Sequence, residues 1–128
     1  MTLTGQIIGA ALEVHTLLGP GFLESIYQQA LVRELTLRGF NVETQIRVDV
    51  SYKDALVGRH RIDMVVNQLV VLELKAISGI LDIHIAQTLS YLKATGMEVG
   101  LIFNFGAEKL TWKRLVKSSE GRELRELV

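Results

Sequence analysis

Hydrophobic positions change their spacing along the chain, and each change marks a structural element. From Thr4 to Leu18, Ile7, Ile8, Ala11, Leu12, Val14 and Leu18 recur at helical spacing, and Gly19-Pro20-Gly21 stops the run. A second helix is predicted from Phe22 to Arg38, with Phe22, Ile26, Ala30 and Leu31 on its apolar stripe and Gly39 just beyond its end. The alternation then becomes that of a half-buried strand: Ile46, Val48, Val50 and Tyr52 alternate with Arg47, Asp49 and Ser51. Lys53 to Gly58 reads as the turn after it. Two more strands follow, Arg59 to Val66 and Val70 to Lys75, both rich in Val, Ile and Leu. Asp82 is placed to cap a third helix that reaches Thr95 and ends at Gly96. Val99 to Phe105 reads as a buried strand, and Leu110 to Val116 as a shorter, more exposed one. From about 117 to 128, Glu120, Arg122, Glu123, Arg125 and Glu126 describe a solvated helical tail at the periphery.

The order ααβββαββ implies an α/β fold, a mixed sheet flanked by helices. At 128 residues the chain has the commonest size for one domain with one core, so a single domain over 1–128 is expected.

Whether this fold carries chemistry depends on the hairpin between the second and third strands, because its register decides which side chains share a face. A two-residue turn at Asn67-Gln68 would place Asp63 opposite Leu72 and send Asp63 and Glu73 to opposite faces. A three-residue loop of Asn67, Gln68 and Leu69 puts Asp63 opposite Glu73 and Arg61 opposite Lys75. The second register is favoured, since Asn67-Gln68 lacks the glycine that tight two-residue turns prefer. It also sorts Ile62, Met64, Val66, Val70, Leu72 and Leu74 onto one apolar face, leaving Arg61, Asp63, Glu73 and Lys75 together on the other.

Two carboxylates with Cβ atoms ~5 Å apart repel unless a cation lies between them. Magnesium answers that need, since it binds through one or two carboxylates and leaves positions for water and phosphate oxygens. Lys75, ~7 Å along the same face from Glu73, adds an ammonium able to stabilise charge on a phosphorus-centred transition state.

The spacing of Asp63 and Glu73-Leu74-Lys75 resembles the D…(D/E)xK signature of the PD-(D/E)XK nuclease superfamily. Gly21-Phe22-Leu23-Glu24-Ser25-Ile26-Tyr27 is similar to the segment that names the GxxExxY proteins of that superfamily, as is Leu18-Gly19-Pro20-Gly21 before it. Leu72 to Ala76, His84 to Gln87, Tyr91-Leu92 and Gly100 to Gly106 look like the same family, so the resemblance covers nearly the whole chain. It implies a restriction-endonuclease-like core in which Asp63, Glu73 and the Leu74 carbonyl hold Mg2+, with Mn2+ able to substitute, and Lys75 is the catalytic lysine. It further implies that Glu24 joins the site from the second helix, through water or beside a second ion. Gln87 and Tyr91 resemble a QxxxY element that fixes substrate or water beside the active site.

Each of these residues also has a structural reading. Glu24 fits the first turn of a helix, where negative charge is favourable, as well as it fits catalysis. Gln87 and Tyr91 are one turn apart and serve equally as a packed helical pair. Arg59 and Arg61 have the shape to hold a substrate phosphate or to decorate the strand. His15 and His84 lie far apart in sequence and stand outside the core site, with His84 the nearer neighbour.

Composition narrows the choice of partner. The chain has 14 basic and 14 acidic residues, whereas a tight nonspecific nucleic-acid binder would usually be basic. No added DNA-binding element is evident, so independent grip on a substrate is in question, and a homodimer is one way for so small a domain to hold a duplex. The expected activity is a Mg2+-dependent nuclease acting on nucleic acid, foremost DNA. The alternative is a catalytically inactive module of the same fold that binds nucleic acid or a partner protein. Apolar residues are 48% of the chain, yet no run approaches the ~18 needed to span a bilayer, so no membrane partner is expected. Met1 to Thr4 lacks the basic start and apolar stretch of a signal peptide, and the chain has no cysteine, which fits a cytoplasmic address.

Overall fold

A computed structural model describes residues 1–117 and the backbone of 125–127. Helices α1 (Leu3–Leu18) and α2 (Glu24–Leu37) lead into strands β1 (Val42–Tyr52), β2 (Ala55–Val66) and β3 (Val70–Lys75). Helix α3 (Asp82–Thr95), then β4 (Val99–Asn104) and β5 (Thr111–Val116), complete the expected order, and a short β6 (Arg125–Leu127) is added. The sheet runs β1-β2-β3-β4-β5-β6, with β3 and β4 parallel and every other neighbour antiparallel. The helical tail expected from 117 lies mostly outside the described residues. Its described part corrects that expectation, because Arg125–Leu127 pairs with β5 as a strand.

Two apolar layers flank the sheet. On one face Ile7, Ala11 and Val14 of α1 and Tyr27, Leu31 and Leu35 of α2 cover Met64, Val66, Leu72, Leu74, Leu101 and Phe103. On the other, Tyr91 and Leu92 of α3 pack with Val48, Ile62, Val65, Val71, Ile102 and Leu115. At about 25 cal/mol per Å2 of apolar surface, these two layers supply the main drive to fold. Among the described residues no helix is long and apolar enough to cross a membrane.

The α2 stripe differs from expectation. Phe22 and Ile26 are exposed, and Tyr27, Leu31 and Leu35 are the buried set. Tyr27 sets this rotation, since its ring stacks on Phe105 with centroids 4.6 Å apart and planes at 13°. The start of α3 differs too. Its N-cap is Leu81, with Asp82 inside the first turn. The cap contact comes from His84, whose Nδ1 accepts the Leu81 N–H at 2.9 Å.

The β1–β2 hairpin is longer than the hydrophobic pattern indicates. Its turn is Lys53-Asp54, both at positive φ (46° and 66°), and pairing runs on through Tyr52↔Ala55 with a register shift at Val50/Ser51. Ser51, Tyr52 and Ala55 to His60 are exposed, so this outer arm lacks the inside-outside alternation that announces a strand. Gln45 at φ 52° interrupts the ladder where Asp63 would pair. Beyond that break Ile62 packs on the α3 side and not with Met64 and Val66, which corrects the single apolar face expected for β2.

Candidate active site

The site forms where β2 leaves β3. Val66↔Val70, Val65↔Val71 and Met64↔Leu72 confirm the three-residue loop, with Asn67 and Gln68 at φ 52° and 57° and the Leu69 N–H bonded to the Val66 carbonyl at 3.0 Å. The ladder then stops, one step before Asp63 would meet Glu73. In place of the missing main-chain bond, Asp63 Oδ2 accepts the Leu74 N–H at 2.8 Å. That bond holds the Asp63 carboxylate at the mouth of the opening between the strands.

Alternation along β3 sends Leu72 and Leu74 into the α1–α2 layer and Glu73 and Lys75 the other way. Glu73 is only 4% exposed, in a strand otherwise made of Val, Leu and one terminal Lys. Its Oε1 is buried with no hydrogen-bond partner. Burial first, and then the Asp63 carboxylate beside it, push Glu73 up to about 9, while Lys75 pulls in the opposite direction. A buried carboxyl with an idle oxygen is costly in a structure that only needs to fold.

Two further groups converge here. Burial and the proximity of Asp63 raise the Glu24 carboxyl above its usual range, and Lys75 partly offsets them. Tyr91 of α3 is raised by burial and by the negative field of Glu73 and Asp63. Glu24, Asp63, Glu73, Lys75 and Tyr91 thus form one electrostatic unit drawn from α2, β2, β3 and α3.

Glu24 owes its position to a staple. Gly21 takes φ 111°, a conformation that favours glycine, and Tyr27 Oη donates to the Gly19 carbonyl at 2.5 Å while accepting the Phe22 N–H at 3.2 Å. The Gly21, Glu24 and Tyr27 positions therefore divide into a turn, a site acid and the side chain that pins the turn.

Comparison with known proteins agrees with this geometry. Residues 1–115 match the PD-(D/E)XK nuclease superfamily. The chain belongs to that superfamily. Among solved structures, one titled "Crystal structure of SSO0001" is similar in fold, with a TM-score of 0.55 and 15% identity over 89% of this chain and 77% of that one. A search of curated proteins found no match. PD-(D/E)XK enzymes are nucleases, and they generally use divalent metals such as Mg2+.

The residues of this superfamily member fit such an ion by the chemistry they present: two hard carboxylate donors, one with an unpartnered buried oxygen. Among the described residues no group of three His, Cys, Asp or Glu side chains gathers. Magnesium does not require one, since one or two carboxylates suffice.

Not every expected residue joins. Gln87 is half-buried one turn before Tyr91 on α3, and among the described residues its side chain makes no hydrogen bond. Arg61 is exposed beyond the break at Gln45 and pairs with Arg47 of β1, not with Lys75, because the β2–β3 ladder has already ended. Arg59 is taken by Asp49, at 3.2 Å. His15 Nε2 lies 2.9 Å from the Ala107 carbonyl in the core.

Three contributors escaped the sequence reading. His60 meets the Tyr91 ring edge-on at 5.3 Å and 61°. Asn104, fully buried, accepts the Ile77 and Gly106 N–H groups at 3.0 Å each and so ties the connection after β3 to the end of β4. A side chain at Gly106 would collide with Ile77 main chain at 2.3 Å, so the two segments touch backbone to backbone. A polar residue inside the apolar run Val99–Phe105 was a visible signal for Asn104, because such a group must find partners.

Proposed function

We propose that the protein is a Mg2+-dependent nuclease that hydrolyses phosphodiester bonds in DNA. The observation that carries this reading is the buried, half-unpartnered Glu73 carboxyl held against Asp63, with Lys75 in the same field. Asp63, Glu73 and the Leu74 carbonyl would hold the metal, which supplies Lewis-acid polarisation of a phosphate oxygen. Lys75 places a positive charge where negative charge grows as water adds to phosphorus and a P–O ester bond breaks. Glu24, with a carboxyl raised above the usual range, holds or accepts a proton at the rim. Tyr91, and Gln87 beside it, bound the pocket on the α3 side and position substrate. The likeness of Gly21, Glu24 and Tyr27 to the GxxExxY segment supports the placing of Glu24 in this set.

The test is direct. Linear, branched and single-stranded DNA are incubated with wild type, Lys75→Ala and Asp63→Ala in Mg2+ or Mn2+. Each substitution is expected to lower turnover by ~100-fold or more. Equal residual activity in all three proteins removes the mechanism. The formal net charge of zero favours the alternative, an inactive nucleic-acid or protein-binding module of the same fold. Calorimetry separates the two, since the nuclease reading requires heat and thermal stabilisation on adding millimolar magnesium.

A further inference from the structure

The geometry points to a phosphate clamp on the β1–β2 arm, made by Arg47 and Arg61, that holds the nucleic-acid backbone beside the carboxylate site. These two arginines are direct cross-strand partners. Opposed residues have Cβ atoms about 5 Å apart, and like charges so placed repel. Both are exposed, and among the described residues neither makes an ion pair or hydrogen bond. The next pair on that face shows what neutralisation looks like: Asp49 and Arg59, also direct partners, form an ion pair at 3.2 Å. The arm thus carries one compensated pair and one uncompensated pair, and a phosphate between two guanidinium forks supplies the missing charge.

Position fits the same role. Ile46, Val48 and Ile62 pack toward α3, so by alternation Arg47 and Arg61 face the other side of the arm, the side of α1 and α2. Gln45, two residues before Arg47, reaches Gln28 of α2 at 2.9 Å, and Gln28 lies one helical turn after Glu24. Arg61 is two residues from Asp63, roughly 7 Å of strand. A backbone held by the pair therefore continues directly to the carboxylates. A chain of zero net charge needs no basic surface overall if its uncompensated charge is concentrated here.

This inference deepens the nuclease reading, and its experiment separates the two. Binding of a short labelled DNA duplex is followed by fluorescence anisotropy in EDTA, without turnover, over a range of KCl concentrations. The proteins are wild type, Arg47→Ala/Arg61→Ala and, as control, Arg33→Ala on the exposed face of α2. The double variant is expected to bind at least tenfold more weakly at low salt, and its log–log salt slope to fall by about 2, close to one per lost phosphate contact. Arg33→Ala should match wild type. The double variant should also melt no lower than wild type, since a repulsive pair has been removed.

An unchanged salt slope, absence of salt-dependent binding by wild type, or a shift in sedimentation showing that the arginines hold two copies together would each overturn the clamp. Arginine-dependent binding by a protein that never cleaves would leave the clamp standing and sink the nuclease reading alone.

Discussion

Replacing Glu73 by glutamine isolates the group on which the site depends. In metal-free protein, burial and then Asp63 push Glu73 up to about 9, against 4.5 for the group in its ordinary state. Between those values the folded chain keeps a proton that the unfolded chain has released. Its contribution to stability is therefore complete below the unfolded value and is lost as pH rises toward the folded one. The slope is about 1.4 kcal/mol per pH unit, so from pH 6 to pH 8 the wild type should lose roughly 2.7 kcal/mol, or ~10 °C in Tm at this size. Glutamine retains the shape and offers Asp63 an N–H where the protonated acid offers O–H, but it does not titrate.

The assay is thermal melting of both proteins in EDTA at several pH values, then again with magnesium. Without metal, the wild-type Tm should fall relative to that of Glu73→Gln across this range. With magnesium, the wild type should recover, and by more at pH 8 than at pH 6, since the ion displaces a proton. Glu73→Gln should respond weakly. Parallel pH profiles in EDTA would refute the buried-acid argument, and an equal magnesium response would refute Glu73 as a ligand.

Tyr27→Phe keeps the stack on Phe105 but loses the Gly19 and Phe22 bonds, so it should cost ~1–3 kcal/mol by urea denaturation. Its turnover should fall more than its affinity for DNA, because Glu24 sits inside the loosened segment; unchanged turnover would show that the staple is structural only. Asn104→Ala strands two buried N–H groups and should cost ~2–5 kcal/mol, whereas Asn104→Asp, which keeps an acceptor, should recover part of that. Equal loss in the two variants would mean that the acceptor oxygen does not carry the effect.

The register of the β2–β3 hairpin was readable from sequence because a one-residue slip would have exposed a whole row of Val, Leu and Met. The same logic failed at Ile62. A single residue at positive φ, Gln45, interrupts β1 and exchanges the faces beyond it, and nothing in the hydrophobic pattern reports one dihedral angle. The length of the arm was hidden for a related reason, since strands exposed on both faces have no alternation to read. His60 was lost with it: its contact with Tyr91 depends on which way β2 turns after the break.

Glu24 was undecided from sequence because the first turn of a helix accounts for an acid without any site. Tertiary placement decides what local preference could not. The Tyr27 staple and the positive φ of Gly21 bring that acid into the field of Asp63 and Lys75. Glu73 is the converse case, because every local rule opposes it: a carboxyl in a buried strand between two leucines, with an oxygen left idle. Folds tolerate such violations where function requires them. Here the violation falls where β2 parts from β3, beside a second carboxylate and a lysine, in a member of a nuclease superfamily. Stability alone would have replaced Glu73 with valine, and the chemistry of a bound cation is the reason a carboxyl stands there.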